Sequence, residues 1–401
     1  MPDVSRLANK GDLMDVAFCY PSVLPSRGGC ETYIGDLARR LARDGHRVHL
    51  VASIWDTTAL PAATHYHRIE PVKGPRFLRP WRFAAACEAR LKSIQPDVSL
   101  GFDKTWGQDI LYPQGGLHAA TAWHNRLKQT STAARVASDI GKFFDLANRS
   151  YHRLERKQYF ESPRPRVVVN SEMVRGHFEQ FYGVDPQSIR VLRSAIDPGR
   201  FASEDRFKLR DEQRRSWGVN ADTSVGLFVA MNYRLKGLEP LIRALPLIAK
   251  RTDYRLVVVG HPKFAPYAKL AERLGVSDRV TFLGPRRDPK SAYFAADFLV
   301  HPTFYDPCSL VALEALACGL PVITTKFNGA AELLNETNGI VIDTPHDAAA
   351  LAAGIERMSE PSFRATAAVS ARKAANAWTF EDHYRGLMAI MTERQQLRQA
   401  A

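Results

Sequence analysis

The sequence lacks any apolar run long enough to cross a membrane, and its first thirteen residues are polar, without the hydrophobic stretch of a signal peptide. Its five cysteines form no C-x-x-C pair, which excludes the common zinc and redox motifs and predicts reduced structural thiols. These absences favour a cytosolic protein. The 401 residues, 45% of them hydrophobic and 24% charged, suffice for two or three domains with buried cores.

The usual nucleotide-binding motifs are also missing. No G-x-G occurs, which excludes the dinucleotide-binding fingerprint, and no G-x-x-x-x-G-K occurs, which excludes the P-loop. There is no D-x-D pair to hold a metal ion beside a diphosphate, so we expect no metal site. Zinc-finger spacings and RNP-type aromatic strands are absent as well, so we expect no nucleic-acid partner.

Positive charge, by contrast, is in excess. The 55 Lys and Arg residues outnumber the 42 Asp and Glu residues, which gives a formal net charge of +13. A balance of this kind predicts an acidic partner. With nucleic acid set aside, the candidates are an anionic membrane surface and a phosphorylated substrate.

Strand-like and helical patterns alternate along the chain, which predicts an α/β fold with parallel sheets. The strand DVAFCY, the amphipathic helix ETYIGDLARRLARDG and the strand HRVHLVAS form a first βαβ unit, and a second series begins with SVGLFVAM. We expect two Rossmann-like domains, at 14–195 and 196–375, and a C-terminal helix within 376–401 that crosses back to the first domain. The charged segment 193–223 is interpreted as a linker. Two such domains predict a ligand in the cleft between them.

Glycines and cations follow several of the predicted strands. Gly28 and Gly29 come after the first strand, and Gly260 ends the strand YRLVVVG. Arg234 and Lys236 follow the first strand of the second series. At the carboxyl edge of a parallel sheet, such residues let backbone amides and cations approach an anion. Each also has a simpler explanation, since Gly-Gly pairs make tight turns and most basic side chains are solvated.

The stretch FYDPCSLVALEALACGLPVITT contains a carboxylate in an unusual place. Glu314 lies within a helix pattern that is otherwise apolar on every face, where an unpaired charge is costly. We therefore expect Glu314 to have a functional partner. Asp306 stands just upstream; as an alternative to a functional role, it is a turn former, with Ser309 capping the helix.

These motifs in this order resemble a family. They are similar to those of retaining glycosyltransferases of the GT-B fold, family 4. The motifs are the Gly-Gly loop, R-x-K-G, an acidic residue separated from a Glu by seven residues, G-L-P-V-I-T, and FNGAAELL with Glu332. The resemblance covers nearly the whole chain. The segment GFDKTWGQDILYPQGG is similar to that of lipopolysaccharide core glucosyltransferases. By this resemblance, the first domain would bind the acceptor and the second a nucleotide sugar.

The resemblance also implies roles for individual residues. Glu314 would accept hydrogen bonds from the ribose hydroxyls of the nucleotide, and Asp306, in place of the usual Glu, would contact the donor sugar. Arg234 and Lys236 would stabilise the leaving diphosphate. His118 would lie near the sugar, although a packed loop histidine is the alternative. The backbone amides expected at the sugar or diphosphate are those near Cys308, Ser309 and Leu310, together with those of Gly28 and Gly29.

The implied reaction is transfer of a hexose, with retention, from a nucleotide sugar, by family habit a UDP-sugar, to a glycan or glycolipid such as lipopolysaccharide core. The donor is a substrate, so we expect no cofactor and no metal. Two alternatives share the fold: a nucleotide-sugar 2-epimerase, and a non-enzymatic sugar- or membrane-binding relative. An assay with nucleotide sugar alone separates the first, and failure to bind any nucleoside diphosphate would favour the second.

The positive charge is concentrated in residues 123–158. This segment has eight basic and three acidic side chains, a net charge of +5, interleaved with Trp123, Phe143, Phe144 and Tyr151. Basic-aromatic helices suit the headgroup layer of an anionic membrane, and a solvated helix face is the alternative. We expect a peripheral location on the inner face of the cytoplasmic membrane. The basic residues are Arg126, Lys128, Arg135, Lys142, Arg149, Arg153, Arg156 and Lys157.

Overall fold

The computed structural model describes residues 13–24, 28–161, 164–250, 252–286 and 288–400. Residues 1–12, most of the polar N-terminal stretch, lie outside the described residues, as do Ser26 and Arg27 beside the Gly-Gly pair. Among the described residues, no helix has the length and apolar content that crossing a bilayer requires.

The first half of the chain forms a sheet of seven parallel strands in the order β5-β3-β1-β6-β7-β8-β9, and β2 and β4 form a separate pair. The strands are β1 (Asp15–Cys19), β2 (Ser22–Val23), β3 (Arg47–Ala52), β4 (Ile54–Trp55), β5 (His65–Arg68), β6 (Val98–Gly101), β7 (Ile110–Leu111), β8 (Arg166–Val169) and β9 (Arg190–Val191). The helices are α1 (Gly29–Arg43), α2 (Arg79–Ile94), α3 (His118–Leu127), α4 (Thr132–Phe144), α5 (Leu146–Phe160) and α6 (Glu172–Tyr182).

The second half forms a sheet of six parallel strands in the order β12-β11-β10-β13-β14-β15. The strands are β10 (Ser224–Ala230), β11 (Tyr254–Gly260), β12 (Val280–Gly284), β13 (Phe298–His301), β14 (Val322–Thr325) and β15 (Gly339–Ile342). The helices are α7 (Arg206–Ser216), α8 (Leu238–Ala244), α9 (Ala265–Arg273), α10 (Lys290–Ala295), α11 (Leu310–Ala317), α12 (Ala348–Ser359), α13 (Pro361–Ala377) and α14 (Phe380–Gln399). The predicted fold class, two parallel-sheet α/β units, is confirmed.

Both sheets are covered by helices on both faces, which explains why their central strands are continuous apolar runs. Along β1, Val16 and Phe18 pack in one cluster with residues of α1 and α14, whereas Ala17 and Cys19 pack in another with residues of α2. The residues of β11 alternate between two clusters in the same way. Side chains therefore leave each central strand on both sides into separate parts of the core.

Helix α7 lies within the segment that the sequence predicted to be a linker, and this prediction is wrong for residues 206–216. Arg210 Nη2 donates to Asp297 Oδ1 at 2.7 Å, and Arg214 Nη1 lies 3.3 Å from the other carboxylate oxygen. The same carboxylate accepts the backbone N–H of Val225 at the start of β10. The ion pairs fix α7 to the second sheet, and Arg214 is buried rather than solvated.

Helix α14 follows α13 of the second half but packs on the first sheet. Tyr384, Leu387 and Met391 lie in the same buried cluster as Phe18. The helix begins at a capping box in which Thr379 and Asp382 satisfy each other's backbone N–H groups. The two halves are therefore joined by a packed helix as well as by the chain connection.

The connection order reverses between two central strands in each sheet, β1 and β6 in the first and β10 and β13 in the second. Loops that follow such strands diverge to opposite faces and leave a crevice at the carboxyl edge, where ligands bind in open α/β sheets. Each crevice is therefore a candidate ligand site.

Candidate active site

The two crevices meet across the cleft between the domains. An added Cβ at Gly29 would lie 2.8 Å from Leu310 Cδ1, so the start of α1 lies directly against the start of α11. Gly28 is the N-cap of α1 and has an extended backbone. The structure therefore brings Gly28, Gly29 and Leu310, predicted on separate loops, to one place.

Lys236 is held at this place by the loop that precedes α11. Its Nζ donates to Asp306 Oδ2 at 2.6 Å and to the carbonyl of Tyr305 at 3.1 Å. Asp306 Oδ2 also lies 3.4 Å from Nε2 of His301, the last residue of β13. Lys236 and Asp306, which the sequence placed on different loops, thus form one partly buried ion pair beside a buried histidine.

The charge states of this group follow from its surroundings. Burial acts to raise the pKa of Asp306, but Lys236 and His301 outweigh it and hold the pKa of the carboxyl well below its usual value. Burial lowers the pKa of His301, which is 1% exposed, so its ring is neutral at pH 7. An ionised Asp306 beside a charged Lys236 keeps the ammonium group fixed in position.

Arg234 lies on the same turn and is exposed to solvent. Its charge, together with that of Lys236, lowers the pKa of Lys128 of the first domain, after the larger effect of burial. Gly237 closes the turn with a φ of 80°, a conformation in which glycine is favoured. Sequence reasoning missed His301 and assigned Lys128 to a membrane-facing segment, because neither residue has a local pattern that indicates a site.

Glu314 accepts a hydrogen bond from the hydroxyl of Tyr293 at 2.6 Å. Burial nonetheless raises the pKa of Glu314 to about 7, and the more distant charge of Arg200 offsets this only in part. A neutral phenol compensates a buried carboxylate less well than a cation would. Glu314 therefore retains the capacity to accept further hydrogen bonds, and its contact with ribose stays a prediction.

The start of α11 differs from expectation at Ser309. Its backbone N–H donates to Asn328 Oδ1 at 3.2 Å, and the expected contact of this amide with the donor stays a prediction. The alternative of a capping side chain is also wrong, because Ser309 makes no side-chain cap. Its buried hydroxyl has no hydrogen-bond partner among the described residues. Burial raises the pKa of the neighbouring Cys308 thiol to about 12, so that thiol stays protonated.

Gly260 ends β11 with a φ of 130°, and an added Cβ there would overlap the backbone of Ala230. Close pairing of β10 and β11 is therefore a sufficient reason for glycine at this position. The predicted contact of Gly260 with the nucleotide stays a prediction.

On the first domain, His118 is the first residue of α3. Its Nε2 donates to Asn148 Oδ1 at 3.0 Å, and its ring packs edge-on against Tyr151 and His152. Burial lowers the pKa of His118 to about 4, so the ring is neutral at pH 7. The buried Glu155 accepts from the backbone N–H of His118 at 2.5 Å, which fixes the start of the helix.

Asp103 and Lys104 follow β6 at the crevice of the first sheet, and the sequence did not single them out as site residues. They form an ion pair at 3.1 Å, and Lys104 lies 5.6 Å above the ring of Tyr151. The charge of Asp103 is the main reason that the pKa of Lys104 is raised. Their position directly after the predicted strand VSLGF was the feature of the sequence that could have indicated a place at the carboxyl edge of the sheet. Among the described residues, no three His, Cys, Asp or Glu side chains are grouped to hold a metal ion.

Tyr305 connects the two sides of the cleft. It precedes Asp306 in the second domain, yet its ring is buried in a cluster of first-domain residues that includes Leu117 and Phe178. It also stacks on His124 of α3 at a centroid distance of 4.7 Å. The position of Asp306 is therefore tied to the contact between the domains.

Two family models match the chain: Glycosyltransferase Family 4 over residues 27–200 and Glycosyl transferases group 1 over residues 210–375. The chain is 28% identical to the lipopolysaccharide glucosyltransferase WaaG of Escherichia coli K12, over 83% of this chain and 86% of WaaG. It is 30% identical to D-inositol 3-phosphate glycosyltransferase 2 of Catenulispora acidiphila, over 80% of this chain and 79% of that protein.

Solved structures show the same architecture. The crystal structure of WaaG is similar with a TM-score of 0.76 at 24% identity, covering 94% of this chain and 99% of that chain. The structure of HepE from Anabaena in complex with UDP-glucose has a TM-score of 0.70 at 20% identity, covering 95% and 100% of the two chains. Both similarities extend over the two domains and the cleft between them.

Proposed function

The chain belongs to the group 1, family 4 glycosyltransferases of the GT-B fold, and on this basis we propose that it transfers a hexose from a UDP-sugar to a glycan or glycolipid. The proposed acceptor is of the kind found in lipopolysaccharide core, as the name of WaaG suggests. One observation supports this most directly. Lys236 is fixed by Asp306 beside Arg234, at the crevice that faces Gly28 and Gly29.

The arrangement suits the departure of a diphosphate. As the bond between the sugar and the diphosphate breaks, negative charge develops on the phosphate oxygen. Lys236 and Arg234 supply fixed positive charge there, and the start of α11 adds the positive end of a helix dipole. Because Asp306 already holds the ammonium group of Lys236, little reorganisation is required when the charge appears.

Donor binding is proposed to use Glu314. This carboxylate lies on α11, one turn beyond the helix start that meets Gly29, and accepts a hydrogen bond from the hydroxyl of Tyr293. Two ribose hydroxyls would provide the missing compensation for its buried charge. The uridine base follows family habit and is part of the proposal.

Retention is proposed to occur by attack on the face from which the diphosphate leaves. Asp306 is engaged by Lys236, which makes it a poor nucleophile for a double displacement. In the proposed step, the acceptor oxygen bonds to the anomeric carbon while the bond from that carbon to the phosphate oxygen breaks. The hydroxyl proton of the acceptor passes to that phosphate oxygen, so charge and atoms balance.

A membrane-facing surface is proposed on α4 and α5. Val136, Ile140, Phe143 and Phe144 form one stripe of α4 and are 51%, 56%, 68% and 74% exposed, and no residue of this helix is buried. Arg149, Arg153 and Arg156 lie exposed at helical spacing on α5. An apolar stripe beside a basic face suits the headgroup layer of an anionic membrane, where a lipid-linked acceptor would be presented.

The proposal is tested with a panel of nucleoside diphosphates and nucleotide sugars. We expect one nucleoside diphosphate to raise the unfolding temperature, since a ligand at 100 times its dissociation constant adds about 2.7 kcal/mol of stability. The matching nucleotide sugar should be consumed only when an acceptor is present. Conversion of the nucleotide sugar alone to an isomer would identify an epimerase instead. Absence of stabilisation by every nucleotide would overturn the proposal.

A further inference from the structure

The end of α3 lies on the second domain, although α3 belongs to the first. His346 Nε2, from the loop after β15, donates to the carbonyl of Leu127 at 2.6 Å. One turn earlier, His124 stacks on Tyr305, whose carbonyl accepts from Lys236 Nζ. The residue that follows Leu127 is therefore placed beside the turn that holds Arg234 and Lys236.

That residue is Lys128, and it is partly buried. Burial, followed by the charges of Arg234, Lys236 and Lys142, lowers the pKa of Lys128 to about 8. The Nζ of Lys128 donates to Asn125 Oδ1, a neutral acceptor. The ammonium group of Lys142 is engaged within the first domain, because its Nζ donates to the carbonyl of Ala122 at 2.7 Å.

Three cations from two domains thus converge on the cleft. The carboxylate beside them, Asp306, is already bound by Lys236. Like charges gathered in a partly buried place raise the free energy of the protein unless an anion is bound among them. The arrangement is explained if a doubly charged group fits between the three side chains.

We propose that Lys128 is a third cation of the diphosphate site, contributed by the first domain, so that the donor diphosphate is bound from both sides of the cleft. The inference rests on the proposed function, because it takes the ligand of Arg234 and Lys236 to be a nucleoside diphosphate. It has a consequence for the reaction. Full stabilisation of the leaving group is available only while α3 lies on the second domain.

The first test is the affinity of Lys128→Gln for uridine diphosphate and uridine monophosphate, measured by calorimetry. We expect the diphosphate to bind about tenfold or more weakly, as for loss of a hydrogen bond to a charged group, and the monophosphate to change by less than about twofold. The matched control is Arg126→Gln. Arg126 lies on α3 but pairs with Asp139 at 2.8 Å. We expect its substitution to remove the same charge and to leave the affinity for both nucleotides unchanged.

The second test uses pH. In the wild type, deprotonation of Lys128 should weaken diphosphate binding as the pH rises through about 8. Lys128→Arg should retain the affinity but lose this alkaline decline, because a guanidinium stays charged there. A purely structural role would not produce this pattern.

The outcomes separate the inference from its premise. If the wild type binds no uridine, guanosine, adenosine or cytidine diphosphate, the proposed function fails and the inference with it. If the wild type binds the diphosphate and Lys128→Gln binds it equally well, only the inference is overturned. A variant with normal diphosphate affinity and slow transfer would place Lys128 on the acceptor instead, and would also overturn it.

Discussion

Glu314 is the residue whose charge state a ligand is best placed to change. Burial raises the pKa of its carboxyl to about 7 in the free protein, so this group titrates near neutral pH. Hydrogen bonds from ribose hydroxyls favour the ionised form. Donor binding and deprotonation of Glu314 are therefore linked, and the affinity for the donor should fall as the pH is lowered.

We expect the affinity for the nucleoside diphosphate to fall as the pH is lowered from about 8 to about 6, since protonation of Glu314 removes the acceptor. Glu314→Gln should weaken binding at the upper end of this range by about 1.5–3 kcal/mol and show a shallower pH dependence. Calorimetry on both proteins measures this, and ionisation of the phosphate itself cancels in the comparison. Equal pH dependence in the two proteins would contradict the assignment.

We expect Asp306 to have a different role from Glu314, because its carboxylate contacts Lys236 and His301, whereas that of Glu314 accepts from the neutral phenol of Tyr293. We expect Asp306→Asn to leave nucleoside diphosphate affinity within about threefold, since Lys236 keeps its charge. Transfer should slow by about 1.5–3 kcal/mol of barrier, because Lys236 and the donor sugar lose a charged partner.

Calorimetry and initial transfer rates separate these effects of the Asp306 substitution. Asp306→Glu should shift the preference among donor sugars, because the carboxylate reaches one methylene further. Loss of nucleoside diphosphate binding equal to that of Glu314→Gln would mean that the two carboxylates do not divide the donor between them.

At the scale of elements, α4 is held by its neighbours through few contacts. It begins at a cap formed by Ser131 and ends at Asp145, which caps α5 in turn. Between these caps, the apolar stripe of α4 faces solvent. A helix with this pattern is stabilised when the stripe enters an interface.

The protein should therefore sediment with anionic vesicles but not with neutral ones, and added salt should weaken the binding as it screens surface charge. Reversal of charge at Arg149, Arg153 and Arg156 should abolish sedimentation and leave nucleotide affinity unchanged. The double substitution Phe143→Ser and Phe144→Ser should weaken binding to anionic vesicles at every salt concentration, since these rings supply the apolar contact. Binding to neutral vesicles as strong as to anionic ones would argue against a basic surface.

At the scale of the whole molecule, α14 is fixed to the first domain through a buried histidine. The hydroxyl of Tyr33 donates to His383 Nε2 at 2.7 Å, and His383 Nδ1 donates to the carbonyl of Arg193 at 2.7 Å. The bond from Tyr33 requires an unprotonated Nε2, whereas the bond to the carbonyl of Arg193 acts to raise the pKa. Burial outweighs it and lowers the pKa of His383 to about 4.

The unfolded chain binds a proton at this histidine below pH of about 6.5, and the folded protein only below about 4. Between these values, the unfolded state holds more protons, so stability falls as the pH is lowered. The contribution of one histidine is at most about 1.4 kcal/mol per pH unit. His383→Gln should unfold in urea with a correspondingly shallower pH dependence, measured between pH values of about 7 and 5. Parallel curves for the two proteins would show that His383 does not contribute.

The sequence by itself determined the features that depend on local pattern. Strands such as Tyr254–Gly260 are recognisable because a parallel strand covered on both faces must be apolar throughout. The loops with Gly28 and Lys236 were found because they directly follow such strands. Glu314 stood out because a charge in an apolar helix needs compensation wherever the helix lies. The family resemblance rests on the same local motifs.

Only the tertiary structure decided which of these residues meet. Lys236 and Asp306 are 70 residues apart, and their pairing depends on β10 and β13 being neighbours in the sheet. The amide of Ser309 is taken by Asn328, which comes from a later loop. The segment of α7 was interpreted as a linker because the partner of its arginines, Asp297, follows more than 80 residues later.

Lys128 shows the limit of sequence reasoning most clearly. In sequence it is one of eight basic residues in a segment that suits a membrane surface. In the structure the charges of Arg234 and Lys236 lower its pKa, because α3 ends on the second domain. The physical reason is that charge acts through space, whereas composition records only order along the chain. Packing of the two domains therefore decides which basic residues of this segment lie near the second domain.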